Sequence, residues 1–170
     1  MEAKKEPQNF LILNNIRSAE NVGALFRICD SSNVNLIIQG YSPHPKVERD
    51  TRLPYVINKD TQKITKTATE SINNVKFSYF ESEQDVINFV KSQNLNLYSL
   101  EEGKPNSINI FNNFHVETPF ALVVGNEKNG VSDYFLENSK KILCIPMLGT
   151  NNSLNVAVCA GIALYKLILG

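Results

Sequence analysis

The sequence has few residues of the kinds that form metal or nucleophilic sites, with two histidines and three cysteines among 170 residues. His44 and His115 are isolated, and metal sites need several ligands at set spacing, so we predict no metal site. The cysteines at 29, 144 and 159 lie in apolar stretches and form no C-x-x-C pair. This pattern is typical of reduced core thiols in a cytosol-like compartment, and we predict a cytoplasmic protein.

The sequence also lacks net charge, an apolar leader and an apolar run of membrane length. Lys and Arg number 17 and balance 17 Asp and Glu, so only a local patch could attract nucleic acid. The first residues, MEAKKEPQN, contain no apolar signal core. The C-terminal apolar stretch is interrupted by Asn155, Gly161 and Lys166, so we expect no membrane span. The length suits a flexible tail over residues 1–8 and one domain over residues 9–170.

Common nucleotide and hydrolase motifs are missing as well. The sequence has no GxxxxGK[ST], which excludes a P-loop, and no GxGxxG after an early strand. An ordinary dinucleotide or Rossmann-type methyltransferase loop is therefore unsupported. Neither HExxH nor GxSxG occurs. These absences argue against the common classes of nucleotide-binding and hydrolytic enzymes. The C-terminal third is then the most informative part of the chain.

Short apolar runs alternate with helical patterns along the whole sequence. We predict strands at residues 10–13, 36–39, 75–80, 95–100, 120–124 and 142–145. We predict helices at residues 18–31, 57–71 and 84–93, and a proline-rich, mobile loop at residues 40–52. This alternation is typical of an α/β domain with a mainly parallel sheet. Because open α/β sheets place ligands at the carboxyl ends of strands, we expect the binding site in residues 125–130 and 146–155.

The segment G-N-E-K-N-G follows one of these strands at residues 125–130. Gly125 would let backbone approach a ligand closely, and Gly130 would permit a tight turn. Between them, Glu127 places a carboxylate in a loop at the end of a strand. Taken alone, this segment is equally consistent with an ordinary turn that carries a solvated glutamate.

The segment I-P-M-L-G-T-N-N-S-L-N follows the other strand, at residues 145–155. Ser153 could cap the helix that follows. We expect Asn155 one or two residues inside that helix and buried, where an unpaired amide would cost about 1–3 kcal/mol, so it should have a polar partner. The first helix contributes N-V-G-A-L-F-R-I-C-D, in which Asn21, Gly23 and Arg27 fall largely off the apolar stripe. Taken alone, Arg27 is a surface residue paired with Asp30.

Together and in this order, these segments resemble the SpoU (TrmH-type) RNA 2′-O-ribose methyltransferases of the SPOUT superfamily. The matching segments are NIRSAENVGALFRICD at 15–30, LVVGNEKNG at 122–130 and IPMLGTNNSLNVAV at 145–158. The resemblance implies an α/β fold, with a mainly parallel sheet, helices on both faces and a C-terminal trefoil knot. It also implies S-adenosylmethionine held in the knot mainly by backbone groups. The family's homodimers would place the first and last helices at the interface.

The resemblance also implies residue roles. Cofactor contacts would come from Leu100, Gly125, Ile145, Met147, Ser153 and Leu154. Catalytic roles would fall to Arg27, Glu127, Ser153 and Asn155. Since a guanidinium stays protonated, Arg27 suits hydrogen-bond donation to the reacting oxygen or to a neighbouring phosphate, and the proton acceptor stays open.

The implied function is methyl transfer from S-adenosylmethionine to a ribose 2′-hydroxyl of RNA, with tRNA preferred over rRNA. One alternative is a catalytically silent protein of the same fold that binds RNA or assists assembly. Another is a base-methylating SPOUT enzyme, although the S-L-N segment favours ribose. The segment 46–66 is either an RNA contact or a solvated loop. Its cations outnumber Glu48, Asp50 and Asp60, and they are Lys46, Arg49, Arg52, Lys59, Lys63 and Lys66.

Overall fold

The computed structural model describes residues 8–170, so residues 1–7 of the predicted tail lie outside the described part. The strands in this part are β1 (Phe10–Asn14), β2 (Asn35–Gln39), β3 (Phe77–Phe80), β4 (Asn96–Leu100), β5 (Ile108–Asn109), β6 (Phe120–Val124) and β7 (Lys141–Cys144). The helices are α1 (Ala19–Ser32), α2 (Pro54–Ala68), α3 (Ser71–Asn74), α4 (Glu83–Ser92), α5 (Asp133–Asn138) and α6 (Val156–Leu169). All six predicted strands are present. The seventh strand, β5, was not predicted, because two residues are too few to show an alternating or apolar pattern.

The seven strands form one sheet in the order β3-β2-β1-β6-β4-β7-β5. Every neighbouring pair is parallel. The sheet confirms the predicted α/β fold class. Because β6, β4 and β7 are neighbours, their carboxyl ends lie side by side at one end of the sheet. The trefoil knot stays a prediction.

The side chains of the sheet alternate between two packed layers. Leu11 and Leu13 of β1 belong to the core that α1, α2 and α6 cover. Ile12, between them, belongs to the core on the opposite face, which α4 and α5 cover. All five residues of β6 are buried, as expected for a parallel strand covered on both sides. Helices on both faces were predicted, and the structure confirms them.

Helices α1 and α2 pack unusually closely, because Gly23 lies between them. Gly23 is buried, and a Cβ added there would lie 1.9 Å from Thr67 Oγ1 and 2.4 Å from the carbonyl oxygen of Ile64. Gly23, predicted to fall largely off the apolar stripe, is thus packed against α2. The apolar stripe predicts only the contact of α1 with the sheet, and α2 covers a second side of the same helix.

The polar stretch before α2 is a loop, as predicted, and Arg52 organises it. Its guanidinium contacts the Asp50 carboxylate at 2.7 Å and the Asp60 carboxylate at 3.1 Å. It also donates to the carbonyl oxygen of His44 at 3.0 Å. These contacts hold the pKa of Asp50 well below its ordinary value, chiefly through the hydrogen bond from Arg52. Arg52 is thus engaged within the fold. The helix predicted at 57–71 begins and ends three residues earlier, at Pro54 and Ala68, since Pro54 occupies its first turn.

Candidate active site

A cavity of about 640 Å³ opens at the carboxyl ends of β4, β6 and β7. Its lining includes all six residues predicted to contact a cofactor: Leu100, Gly125, Ile145, Met147, Ser153 and Leu154. Glu127 and Asn155 line the same cavity. The volume is ordinary for a small-molecule site, which spans about 300–1,000 Å³. The sheet topology thus brings together residues that are up to 55 positions apart in the sequence, from Leu100 to Asn155.

The loop after β6 folds back on itself around two glycines. Asn126 and Gly130 form an antiparallel bridge, with backbone N–O distances of 3.0 and 2.8 Å. Gly130 has a φ of 72°, which confirms the predicted tight turn. A Cβ on Gly125 would lie 2.2 Å from backbone atoms of Gly130 and Val131. Gly125 therefore makes room for the loop's own backbone.

Asn126 fixes this loop from within. Its Oδ1 accepts the backbone N–H groups of Lys128 and Asn129 at 2.8 and 3.0 Å. Its Nδ2 donates to the carbonyl oxygen of Asn15 at 2.8 Å and to the Tyr41 hydroxyl at 2.5 Å. The sequence interpretation assigned Asn126 no role. The available signal was an asparagine at the start of a tight turn, where its side chain can bond the next backbone groups.

Glu101 joins the end of β4 to the same loop. Its Oε2 accepts the backbone N–H of Val131 at 2.6 Å. The carboxylate lies so close to Gly130 that an added Cβ there would meet Oε2 at 2.4 Å. Glu101 lines the cavity and was also missed, because a glutamate in a polar turn has no distinguishing pattern in sequence.

Glu127 links the loop to the start of α1. Its carboxylate accepts the backbone N–H of Arg17 at 2.9 Å and that of Ser18 at 3.2 Å. The Asn21 amide donates to the same carboxylate at 2.8 Å. Partial burial alone would raise the pKa of Glu127, but the hydrogen bonds from Arg17, Asn21 and Ser18 outweigh it and lower the pKa. Glu127 is therefore an ionised anchor at neutral pH.

Asn155 occupies the N-cap of α6. Its Oδ1 accepts the backbone N–H of Ala157 at 2.9 Å, and its Nδ2 donates to Asn21 Oδ1 at 3.0 Å. The expected polar partner is thus present. The expected position was wrong, because Asn155 is exposed and lies just before the helix. Asn155 also takes the cap role suggested for Ser153, because its Oδ1 satisfies the free Ala157 N–H of the first turn.

Glu127, Asn21 and Asn155 consequently form one chain of hydrogen bonds. It crosses from the loop after β6, through the start of α1, to the start of α6. Each amide donates to one neighbour and accepts from another, which orients the side chains without burying them. Asn21 is the central member, and sequence reasoning assigned it no role.

Arg27 lies on α1, away from this cavity. It is exposed on α1 and lines a separate depression with Asp30, Ser31, Asn33, Thr69 and Ser71. Asp30 accepts hydrogen bonds from Ser71 at 2.9 Å and Asn74 at 3.1 Å. Within residues 8–170, no ion pair joins Asp30 to Arg27, so the pairing expected for an isolated surface arginine is absent. The structure brings three of the four predicted catalytic residues together.

Comparison with known proteins identifies the family to which the chain belongs. The family model for the SpoU rRNA Methylase family matches residues 8–165. The chain belongs to this family. The strand-end loops and the start of α6 in this SpoU domain fall inside the matched range.

Two curated relatives and one solved structure illustrate the similarity. The chain is 29% identical over 158 residues to a 23S rRNA (guanosine-2'-O-)-methyltransferase RlmB of Blochmanniella floridana, covering 93% of this chain and 56% of the relative. It is 28% identical over 168 residues to a tRNA (guanosine(18)-2'-O)-methyltransferase of Aquifex aeolicus, covering 96% and 70%. The SpoU methyltransferase AviRb of Streptomyces viridochromogenes, solved with AdoMet, superposes with a TM-score of 0.80 at 21% identity, covering 98% and 59%.

This SpoU domain therefore spans little more than half of some relatives that it matches. Within residues 8–170, no helix has the length and apolarity needed to cross a membrane. The same range contains no group of three or more His, Cys, Asp or Glu side chains able to hold a metal ion. All three cysteines are free thiols. Burial raises the pKa of Cys29 and of Cys159, so neither is activated as a nucleophile.

Proposed function

We propose that this SpoU domain transfers a methyl group from S-adenosylmethionine to a ribose 2′-hydroxyl of RNA. The observation that carries the proposal is the shared cavity. It combines all six residues expected to contact the cofactor with Glu127 and Asn155, which belong to the expected catalytic set. Both curated relatives described above are named as RNA 2'-O-methyltransferases.

The lining suits S-adenosylmethionine, which has an apolar and a charged part. Leu100, Ile145, Met147 and Leu154 supply apolar contacts, while the loop backbone around Gly125 supplies polar groups. Two carboxylates, Glu101 and Glu102, also line the cavity and favour a cationic ligand. When bound, S-adenosylmethionine supplies a methyl group activated by its sulfonium charge.

The protein's own contribution to this reaction is positioning and charge stabilisation. Asn155 and Ser153 lie at the start of α6, where polar side chains can orient a ribose beside the cavity. Glu127 keeps Asn21 and, through it, Asn155 in place. Arg27 would donate hydrogen bonds to the reacting oxygen or to an adjacent phosphate.

We further propose that the protein is a homodimer in which Arg27 of the partner subunit completes the site. α6 exposes an apolar face with Val158 at 49%, Tyr165 at 45% and Leu169 at 77% exposure. The Tyr165 hydroxyl donates to the carbonyl oxygen of Ser31 at 3.2 Å, so this face adjoins the half of α1 that carries Arg27. If two α6 helices paired antiparallel about a two-fold axis, the half of α1 that carries Arg27 in each subunit would lie near the first turn of the partner's α6.

The reaction is tested by incubating the purified protein with methyl-labelled S-adenosylmethionine and separated tRNA and rRNA, followed by alkaline hydrolysis. A ribose 2′-O-methyl group blocks cleavage of one linkage, so label should appear in alkali-resistant dinucleotides. Label in mononucleotides would indicate base methylation, and binding without label would indicate a silent protein. We propose tRNA, as for the Aquifex relative, and a cytoplasmic location; label only in rRNA would contradict the tRNA assignment.

The dimer is tested by complementation between inactive variants. Arg27→Ala and Asn155→Ala proteins are purified separately, mixed under conditions that exchange subunits, and assayed. If the site takes Arg27 from the partner, a mixed dimer contains one intact site and activity reappears. Sedimentation measurements report whether dimers form. Full inactivity of a proven mixed dimer would contradict the shared site.

A further inference from the structure

We propose that Tyr41 is a stacking platform for an unpaired nucleobase of the RNA, next to the loop after β6 that lines the cavity. This inference rests on the proposed RNA methyltransferase function and adds a substrate-positioning residue to it. Tyr41 follows β2 and lies in none of the segments that carry the family resemblance. It joins the site only through the fold.

The Tyr41 ring is held at both ends although most of it is exposed to solvent. Its hydroxyl accepts a hydrogen bond from Asn126 Nδ2 at 2.5 Å, and its backbone N–H donates to Asn15 Oδ1 at 3.1 Å. Gly40, just before it, has a φ of 70° and presses against the Asn15 side chain, where a Cβ would lie 2.0 Å from Oδ1. Even so, the Tyr41 side chain is 62% exposed.

Such an arrangement does not serve the core. A buried tyrosine contributes by removing apolar surface from water, whereas Tyr41 leaves most of its ring accessible. Fixing an exposed ring still requires giving up its rotational freedom. That loss is useful when a flat partner binds the ring, because the platform is then already ordered before binding.

The surroundings of Tyr41 favour a nucleic acid as this partner. Asn126, which holds its hydroxyl, also binds the backbone N–H of Lys128, whose exposed side chain lines the cavity. Lys46 and Arg49 are exposed in the loop that begins at Tyr41. Within residues 8–170, no ion pair engages these three cations. Exposed aromatic faces and unpaired cations are the groups that bind stacked bases and phosphates of single strands.

Two of the nearby carboxylates are held in place by backbone and amide N–H groups of the site. Glu127 is occupied by three N–H donors, and Glu101 accepts the Val131 N–H. By contrast, two cations of the predicted basic segment are neutralised, because Arg52 pairs with Asp50 and Asp60, and Lys63 lies 3.5 Å from Glu20. Of the predicted basic segment, Lys46 and Arg49 are exposed and lie in the loop that begins at Tyr41.

The first test measures RNA affinity of Tyr41→Ala and Tyr41→Phe, using an RNA that the unaltered protein methylates. Loss of one stacked base, about 1–3 kcal/mol, should weaken binding by the alanine variant about 5- to 150-fold. The phenylalanine variant keeps the face and should retain most affinity. S-adenosylmethionine affinity should be unchanged in both. Phe111→Ala, at another exposed aromatic with 50% exposure, is the matched control and should bind RNA normally.

The second test reports stacking directly, because the chain contains no tryptophan. Tyr41→Trp introduces a single indole whose fluorescence should be quenched when RNA is added, while the same change at Phe111 should show no quenching. Unchanged emission at position 41 in a protein saturated with RNA would overturn the stacking assignment, as would normal RNA affinity of Tyr41→Ala. If the unaltered protein neither binds nor methylates RNA, the proposed function fails together with this inference.

Discussion

The cavity at the strand ends and the Arg27 depression on α1 are built in different ways. Loops that follow three neighbouring strands surround the cavity. The Asn126 amide donates to the Asn15 carbonyl oxygen, and the Glu101 and Glu127 carboxylates accept backbone N–H groups, which holds these loops in place. The Arg27 depression is a shallow surface between α1 and the residues that follow α2. Arg27 itself has no ion-pair partner within residues 8–170.

The difference shows what a set of sequence motifs can and cannot convey. Motifs identify residues that act in one reaction, but they do not say that one subunit supplies them all. The cavity already brings together all six residues expected to contact the cofactor. Under the proposed dimer, Arg27 would instead act in a site that forms only when the partner subunit approaches. The variants below separate these two roles, starting with the largest expected effect.

The first prediction concerns Arg27. Arg27→Ala should reduce the methyl-transfer rate about 10²- to 10³-fold, the typical effect of removing one donor to a developing charge. Affinity for S-adenosylmethionine, measured by calorimetry, should stay unchanged because Arg27 does not line the cavity. Arg27→Lys should recover only part of the rate, since an ammonium lacks the planar fork of donors.

A control in the same depression is Thr69→Ala, which alters its lining without removing charge. Its rate should equal that of the unaltered protein. If Arg27→Ala also retains a normal rate, neither Arg27 nor the depression that it lines takes part in catalysis.

The second prediction concerns the rigidity of the cavity. Gly125→Ala places a Cβ within 2.2 Å of backbone atoms, which cannot move without opening the loop. We expect a loss of about 1–3 kcal/mol in the free energy of unfolding and weaker cofactor binding. Gly149→Ala is the matched control, because no atom lies within 4 Å of its added Cβ. Denaturant titration and calorimetry measure both effects, and equal behaviour of the two variants would show that the loop is not rigid.

The sequence predicted the sheet and the composition of the cavity well. Buried strands such as β6 are continuous apolar runs, and their parallel packing places the following loops at one end of the sheet. That rule was sufficient to locate residues 125–130 and 146–155. The tight turn at Gly130 was also predictable, since its φ is one that glycine adopts freely.

Contacts between distant polar residues could not be predicted. Glu101 binds Val131 and Asn126 binds Tyr41, and neither spacing leaves a periodic signal in sequence. The position of Asn155 was misjudged because the apolar residues after it suggested a helix already begun. The start of α6 is instead set by the side chain that caps it. Periodicity identifies faces of helices, whereas caps and partners depend on the assembled fold.

The third prediction concerns which residue caps α6 and stabilises the fold, Asn155 or Ser153. Asn155→Ala removes the hydrogen bond to the Ala157 N–H and the link to Asn21, and should cost about 0.5–2 kcal/mol of unfolding free energy. Ser153→Ala should change stability by less than about 0.5 kcal/mol, because Ser153 is exposed and is not the cap. Thermal denaturation measures both. A larger loss for Ser153→Ala would mean that the cap has been assigned to the wrong residue.

The fourth and smallest effect is the pH dependence that Glu127 gives to stability. Its pKa in the folded protein lies below the ordinary value of 4.5, so folding favours the ionised form. Its contribution to unfolding free energy should therefore be complete above the ordinary pKa and fade as pH falls through the lowered, folded-state pKa. Because the group is largely exposed, the contribution should not exceed about 1 kcal/mol.

Glu127→Gln tests this directly, because glutamine does not titrate in this pH range. Its NH₂ group would also face at least one of the three N–H groups that now donate to the carboxylate, so that hydrogen bond is lost. The difference in unfolding free energy between the two proteins should be constant from neutral pH down to the ordinary carboxyl range and then shrink with further acidification. Urea titrations across this pH series provide the measurement. A difference that grows on acidification would require a raised pKa, and Glu127 would then be a proton carrier in the cavity and not the ionised anchor that joins it to α1.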